Sequence, residues 1–358
     1  MAQTRDAAIV GIHEYPSRVV GSGVSALQIK AASAAKALED AGLSWSDVDA
    51  VYDTGSHQNI GGLGISEYLG IKPKIIDSTS VGGTSYEFHA NHAAAMIAAG
   101  KCNVALLTYG STAHSDRRAI GTGGYASSGP NNPHNNMEAP WGMTLISNYG
   151  MVKARHMHQY GTTNEQFAAI SIATRKHAMR NPEAVKAMTE LEFVGIRELT
   201  VEDVVDSRMV AWPLRLLECC MISDGGGAVV IASKEVARNT AKKPVWIIGT
   251  GEATKYRENG GDITVSAGGQ SGPRAFADAG VSPSEIDSLM VYDSFSITVM
   301  CLIEDLGFCA KGEGGDYVTQ GHLVFDDPAG PALNTDGGGL SSNHPGERGI
   351  FQYDSATG

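Results

Sequence analysis

The chain has 358 residues, of which 42% are hydrophobic and 18% are charged. This length allows two domains, and the apolar content is enough to form a buried core. The 39 acidic residues outnumber the 27 basic ones and give a formal net charge of −12 at pH 7. Such a chain repels nucleic acid and anionic membranes, so neither is expected as a partner. An anionic ligand must then be bound locally, by loops and helix N-termini.

The cysteines give no sign of a zinc site or a disulfide framework, because they lack CxxC spacing and two of them are adjacent. They are Cys102, Cys219, Cys220, Cys301 and Cys309. We therefore expect no bound metal. The N-terminal residues do not form a signal peptide, and we find no apolar run long enough to span a bilayer. These features favour a cytoplasmic protein.

Strand and helix patterns alternate through the first part of the chain, which is typical of an α/β fold. The predicted elements are a strand at 7–11, a helix at 24–41 closed by Gly42, a strand at 49–52, a Gly-rich turn at 81–85, a helix at 86–99 and a strand at 103–109. A further strand at 228–232 completes this half. Tyr52 ends the second predicted strand within the string Val-Tyr-Asp.

The same elements return 238 residues later, with a strand at 245–249 and a helix ending at residue 279. Identical residues recur at this offset without a gap, as in Gly11 with Gly249 and Asp40 with Asp278. After a two-residue shift, Tyr52 corresponds to Tyr292. Shared identities in matching strand, turn and helix-end positions indicate a duplication. We predict a first half at 1–240 and a second half at 241–358.

An irregular insertion at about 111–199 interrupts the first half. It contains a Gly/Ser/Asn/Pro-rich stretch at 121–136 and an amphipathic helix at 164–180 that is stopped by Pro182. Long insertions of this kind often cover a functional site. We therefore expect the insertion to be a loop domain over the site and not part of the core.

The stretch 334–349, NTDGGGLSSNHPGERG, is the strongest candidate for a ligand-binding loop. Glycine lets main-chain N–H groups approach a bound acyl group or phosphate, and His344 on the following turn is a ready proton or hydrogen-bond donor. A Gly-rich turn with one histidine is more often structural than catalytic. The other motifs must therefore decide its role.

Taken together, these features resemble the thiolase superfamily, and more narrowly its thiolase-like lipid-transfer-protein branch. The resemblance covers essentially the whole chain and rests on the duplication, the inserted loop domain and three motifs. The motifs are 204–223 with Ser207-Arg208-Met209 and Pro213-Leu214, the box Tyr292-Asp293-Ser294-Phe295, and 337–349 with His344-Pro345-Gly346. This family implies two homologous βαβ-type halves in a five-layered α-β-α-β-α arrangement.

The main departure from thiolases is the missing nucleophile. Thiolases carry a reactive cysteine at the start of the first-half helix, and counting back from Gly100 places that position at Gly83. Glycine cannot be acylated, so acyl-enzyme chemistry should be absent. Cys102 begins a strand, and Cys219 with Cys220 is expected to end a helix far from this turn, so neither should replace the nucleophile.

The resemblance instead implies an aldolase that cleaves a β-hydroxyacyl-CoA by a retro-aldol reaction. Tyr292 is the candidate base, although an unperturbed phenol has a pKa of about 10 and needs help to ionise. His344 is expected to donate to the thioester oxygen. The substrate class that the resemblance implies is a steroid side-chain 17-hydroxy C22-CoA thioester, giving a ketone and propionyl-CoA. No further cofactor is expected, since CoA is part of the substrate.

The remaining predicted site residues line the substrate from the two Gly-rich turns and from the Tyr292 box. They are Gly83, Ser85, Asp293, Phe295, Gly338, Gly339, Ser342 and Asn343. Asp293 suits a turn former or helix cap better than a catalyst. In the aldolases of this branch a second tyrosine is expected two residues before the histidine, and here Ser342 takes that place.

Two other functions remain open: a non-catalytic acyl-CoA or sterol-binding protein, and an acyltransferase subunit of a multi-protein complex. The family implies a homodimer through the region 82–99 and a second protein of the OB-fold and zinc-ribbon type. The first-half template also predicts a helix and two more strands after Gly349, whereas the sequence stops at residue 358. We therefore expect the second half to be incomplete at its end.

Overall fold

The computed structural model describes residues 6–56, 60–117, 144–240, 242–255, 261–327 and 329–353. The predicted loop at 121–136 lies outside this set. Within these ranges, each helix is too short or too polar to cross a bilayer.

The strands of the described ranges, β1 to β10, are Ala7–Glu14, Ala50–Tyr52, Ile75–Asp77, Val104–Ser111, Met209–Ala211, Leu214–Arg215, Gly225–Ser233, Val245–Trp246, Ser288–Leu289 and Ala332–Leu333. A six-stranded mixed sheet forms the centre of the first half, with strand order β3-β2-β4-β7-β1-β8. Strands β2, β3 and β4 run parallel, whereas β7 lies antiparallel between β4 and β1. Two short pairs, β5 with β6 and β9 with β10, lie outside this sheet.

Helices cover both faces of the central sheet, which explains why its inner strands are apolar throughout. Alternate residues of a strand face opposite sides. Ala7 and Ile9 therefore share a core cluster with the helix Ser85–Ala98, whereas Ala8 and Val10 pack with the helix Ala26–Ala41. The twelve helices of the described ranges, α1 to α12, are Ala26–Ala41, Gly61–Leu69, Ser85–Ala98, Leu145–Tyr160, Asn164–Ala178, Pro182–Glu190, Val201–Val205, Lys234–Ala237, Gly268–Ala279, Ser296–Asp305, Gly314–Thr319 and Gly338–Ser341.

The duplication is visible in matching contacts at the offset of 238. A Cβ on Gly11 would meet Ala37 and Ala41, and a Cβ on Gly249 would meet Ala275 and Ala279. The Ile12 N–H donates to Asp40, and the Thr250 N–H donates to Asp278, at 3.2 Å in both cases. Each half therefore packs the segment predicted as its first strand, or the residue just after it, closely against its first helix in the same way.

The first strand of the second half differs from its prediction. Only Val245–Trp246 is a strand, and it adds to the edge of the first-half sheet beside β1. Ile248 is exposed. The prediction of a five-residue buried strand at 245–249 was therefore wrong. The second half retains a two-stranded parallel sheet, in which Leu333 pairs with Leu289.

The insertion contributes to the core and does not only cover it. Phe167 and Ile170 of α5 are fully buried, and they share a cluster with Val291 and Leu340 of the second half. The expectation that the insertion stays out of the core was wrong, because the apolar face of α5 completes the second-half core. The domain boundaries at 1–240 and 241–358 stay predictions.

Candidate active site

Tyr292 stands where the two halves meet. It follows β9 and precedes α10, and Asn334 fixes the preceding residue by bonding both Val291 N–H, at 2.9 Å, and Val291 C=O, at 3.0 Å. The Tyr292 hydroxyl donates to the Gly346 carbonyl at 2.5 Å. Its ring lies against the backbone of Gly83. The predicted catalytic tyrosine therefore joins the first-half turn to the 334–349 loop.

The surroundings of Tyr292 favour its neutral form. Burial raises the pKa of this phenol well above its usual value, and the nearby thiol of Cys220 and hydroxyls of Tyr109 and Tyr149 raise it further. A phenol with a raised pKa keeps its proton at neutral pH. Tyr292 therefore enters a reaction as a proton carrier and not as a standing phenolate.

His344 faces Tyr292 from the other loop, with ring centroids 5.5 Å apart and the rings nearly perpendicular. It is 3% exposed, and within the described ranges neither ring nitrogen has a hydrogen-bond partner. Burial, helped by the charge of Arg348, lowers its pKa to about 3. His344 is therefore a neutral imidazole whose N–H can donate to a substrate oxygen.

The backbone around His344 is held by buried polar contacts. The His344 N–H donates to the Ser223 hydroxyl at 3.1 Å. Arg348 donates to the Asn343 carbonyl at 2.7 Å, pairs with Asp336, and places its Nε 3.3 Å from a carboxylate oxygen of Asp293. All of these groups are buried. Together, the contacts within the 334–349 loop and those to Ser223 and Asp293 outside it set the position of the imidazole.

The Gly-rich turn bonds to the protein and not to an open ligand site. Asp293 accepts from the Gly339 N–H at 2.7 Å and from the Leu340 N–H at 3.2 Å, while Gly338 donates to Asp336 at 3.0 Å. Burial raises the pKa of Asp293 to about 6. Gly338 has φ of 67°, and a Cβ there would collide with Asp293. These glycines wrap a carboxylate, and Asp293 accepts from N–H groups in the first turn of α12, whose N-cap residue is Gly337.

Other predicted binding residues also have structural partners. The Ser85 hydroxyl donates to Gly82 at 2.6 Å and so closes the first turn, and Phe295 stacks on Tyr149 at 4.5 Å. The Asn343 side chain accepts from Ser223 at 2.7 Å and donates to Glu14 at 2.6 Å. Ser342 is buried beside Gly337. Substrate contact by these residues stays a prediction.

The placement of Cys219 and Cys220 corrects the sequence interpretation. Cys219 does end a helix, the 3-10 helix Leu216–Glu218, but the two cysteines are not far from the turn. Cys219 forms an isolated β-bridge with Phe295, and the Cys220 N–H donates to the Ser294 carbonyl at 3.0 Å. Burial raises the pKa of Cys220 above its usual range. This thiol next to Tyr292 is therefore protonated and a poor nucleophile.

Several groups around the site were not predicted. Arg348 lies in the Gly-rich motif, but its role is visible only in the structure, where its guanidinium is fully buried. The Tyr109 hydroxyl donates to the Pro345 carbonyl at 2.8 Å and accepts from the Glu347 N–H at 3.1 Å. Glu87 lies beside Gly349, and burial raises its pKa to about 7. No local pattern marked these residues, because their partners are distant in sequence.

Two surface grooves lie away from this site. One, of about 460 Å³, is lined in part by Arg197, Ser207 and Arg208, and the other, of about 500 Å³, by residues that include Arg155 and Asp262. Neither contains Tyr292 or His344. The candidate site is therefore the Tyr292 and His344 pair, where an imidazole without a hydrogen-bond partner in the described residues lies against a phenol.

Comparisons with known proteins agree with the geometry. A family described as Thiolase C-terminal domain-like matches residues 249–357. The chain is 32% identical over 334 residues to the steroid side-chain-cleaving aldolase of Thermomonospora curvata, covering 89% of this chain and 82% of that protein. It is 30% identical over 347 residues to the 17-hydroxy-3-oxo-4-pregnene-20-carboxyl-CoA lyase of Mycobacterium tuberculosis, covering 93% and 86%.

A solved structure described as the Ltp2-ChsH2(DUF35) aldolase superposes with a TM-score of 0.83 at 30% identity. The match covers 98% of this chain and 89% of that one. This structural likeness confirms the predicted thiolase fold. The matches to the two relatives also span most of the length of those proteins. The chain therefore belongs to the thiolase superfamily, in the thiolase-like branch that contains the steroid side-chain-cleaving aldolases.

Proposed function

We propose that this protein is an aldolase that cleaves a β-hydroxyacyl-CoA thioester by a retro-aldol reaction. One observation carries the proposal: a neutral phenol, Tyr292, lies against Gly83, where a covalent mechanism would need a nucleophilic side chain. Acid–base groups are present, and Gly83 cannot form an acyl intermediate.

The reaction needs a proton acceptor, an oxyanion donor and a proton donor. As the bond between Cα and Cβ breaks, the β-hydroxyl loses its proton and becomes a ketone, and the electron pair passes into a thioester enolate. The neutral imidazole of His344 donates its N–H to the enolate oxygen, where charge develops. Protonation at Cα, as the carbon–carbon bond breaks, gives the shorter acyl-CoA.

Tyr292 can serve both proton transfers. The sequence suggested a base, but burial favours the protonated phenol. We propose a concerted exchange, in which Tyr292 gives its proton to Cα as it takes up the proton of the β-hydroxyl, so that it ends in the state in which it began. Before the reaction, the hydrogen bond to the Gly346 carbonyl holds the neutral hydroxyl in place.

The substrate class follows from the relatives, both of which act on steroid side chains by name. We propose a 17-hydroxy C22-CoA steroid thioester as substrate and a 17-ketosteroid with propionyl-CoA as products. CoA belongs to the substrate, and the proposed steps use only side chains of the chain and no further cofactor. The unpaired state of all five cysteines supports a reducing compartment such as the cytoplasm.

We also propose a homodimer and a DUF35 partner. Strand β3 lies at the sheet edge and exposes Ile76, and Val81 and Met96 expose apolar side chains next to or within the predicted dimer region 82–99. An edge strand with apolar neighbours is suited to pairing with a second copy. The DUF35 partner is proposed from the solved aldolase complex, which contains such a protein.

The test is to incubate the purified chain with a 17-hydroxy C22-CoA steroid thioester, with and without a DUF35 protein. We expect a 17-ketosteroid and propionyl-CoA in equal amounts. Release of free CoA with transfer of the intact acyl group to an acceptor would identify an acyltransferase instead. Thioester binding without any product, in both conditions, would identify a carrier and overturn the aldolase.

A further inference from the structure

Residue 83 is a glycine for a steric reason that involves one other side chain. A Cβ built on Gly83 would come closer than 3.0 Å to three atoms of Tyr292, namely Cε2, Cζ and the hydroxyl oxygen. Real Cβ atoms essentially never approach other atoms this closely. Any side chain at 83 would therefore have to displace the phenol.

The backbone conformation of Gly83 does not itself require glycine. The neighbouring Gly82 has φ of 87°, in the left-handed region, whereas Gly83 is not among the positive-φ residues. A Cβ on Gly82 would meet nothing within 4 Å. Glycine is therefore required at these two positions for different reasons. At residue 82 the backbone conformation requires it, and at residue 83 the Tyr292 ring leaves no room for a side chain.

Both sides of the contact are fixed. The Gly83 carbonyl accepts from the Gly349 N–H at 3.0 Å, so the turn is tied to the 334–349 loop. The Tyr292 hydroxyl donates to the Gly346 carbonyl in the same loop at 2.5 Å, and its ring lies against His344. Neither partner can retreat without breaking a hydrogen bond at the site.

We propose that Gly83 and Tyr292 form a mutually exclusive pair, and that residue 83 is the specificity-determining position of this site. A side chain at 83 and a phenol at 292 would compete for one volume, so the glycine gives Tyr292 its reactive position. The chemical consequence, a choice of proton transfer over acyl transfer to residue 83, rests on the proposed function. The steric exclusion does not.

A double-mutant cycle on thermal unfolding tests the exclusion without a substrate. We expect Gly83→Ala to lower the unfolding midpoint by several degrees when Tyr292 is present, because a methyl group overpacks a fixed contact. In the Tyr292→Ala background the same substitution should cost nothing, since the ring is gone. Gly23→Ala is the matched control, because a Cβ there meets nothing within 4 Å and should be neutral in both backgrounds.

Equal costs of Gly83→Ala in the two backgrounds would overturn the proposal. Thiol labelling gives a second readout: iodoacetamide should alkylate residue 83 much faster in Gly83→Cys/Tyr292→Ala than in Gly83→Cys, with Gly23→Cys as the fully accessible reference. Equal rates at residue 83 would also overturn it. If the cycle shows coupling while the wild type gives no 17-ketosteroid, the exclusion stands and the aldolase proposal fails, so the two ideas are separated.

Discussion

The two halves use one short string, Val-Tyr-Asp, for different purposes. In the first half Tyr52 is 0% exposed within the core, and its ring lies 5.7 Å from the ring of His89. In the second half Tyr292 is only partly buried, and its ring lies 5.5 Å from the ring of His344. His89 is bonded to the Thr79 carbonyl at 2.9 Å, whereas His344 has no partner in the described part of the chain.

The aspartates that follow these tyrosines show the same division. Asp53 is paired with buried Lys30 at 2.8 Å and accepts from Thr108 at 2.7 Å. Asp293 faces buried Arg348 and caps a turn of the 334–349 loop. Each half thus needs a buried cation for its aspartate. Among the described residues, only the second half combines this support with a partly exposed phenol and an unbonded imidazole, so the duplicated framework explains the fold and local packing explains the site.

Removal of the two hydroxyls should give the largest contrast. We expect Tyr292→Phe to lower aldolase turnover by about 10² to 10⁴-fold, because a proton-transfer group is lost. Tyr52→Phe should leave turnover unchanged, since its hydroxyl has no partner within the described ranges. Steady-state assay of both variants with the steroid thioester measures the difference. Equal turnover of Tyr292→Phe and the wild type would contradict the assignment of Tyr292.

Removal of the buried cations Lys30 and Arg348 should lower stability in both variants. Turnover should fall only in the variant that lacks Arg348. Arg348→Met and Lys30→Met each leave a buried carboxylate without its cation, which typically costs about 3 to 5 kcal/mol. Denaturant unfolding of each variant measures this cost. At a temperature where both remain folded, only Arg348→Met should lose turnover, because it also holds the backbone carbonyl of Asn343 beside His344. A similar loss of turnover in Lys30→Met would show that the contrast is not local.

The smallest expected effect is a pH dependence of stability from His344. Its folded pKa of about 3 lies below the ordinary value of 6.5, so the unfolded chain binds the proton first as pH falls. Stability conferred by the neutral imidazole is therefore present above pH 6.5 and is lost as pH falls toward 3. Between pH 7.5 and 5 the wild type should lose about 2 kcal/mol relative to His344→Gln.

Denaturant unfolding of the wild type and His344→Gln at both pH values measures this change. Asp293 titrates near the same range, with a pKa of about 6, but it is present in both proteins and cancels in the difference. A difference between the two proteins that stays constant with pH would mean that His344 is not held in its neutral form.

The sequence by itself determined the duplicated α/β framework. The offset of 238 joins Gly11 to Gly249 and Asp40 to Asp278, and both pairs make equivalent contacts in the structure. These features are readable because strand, helix and turn signals are local. The resemblance to thiolases also predicts that Gly83 stands at the nucleophile position, where glycine has no side chain to acylate.

Only the tertiary structure decided what the candidate residues do. The Gly-rich turn wraps Asp293, Cys220 lies beside Tyr292, and α5 of the insertion belongs to the core. Arg348 and Glu87 were identified only from the burial of their charged groups, which no local sequence pattern reveals. The physical reason is that a protonation state or a close packing contact depends on groups far apart in the chain. The contact between Gly83 and Tyr292, 209 positions apart by their numbers in the sequence (292 − 83), is the clearest case.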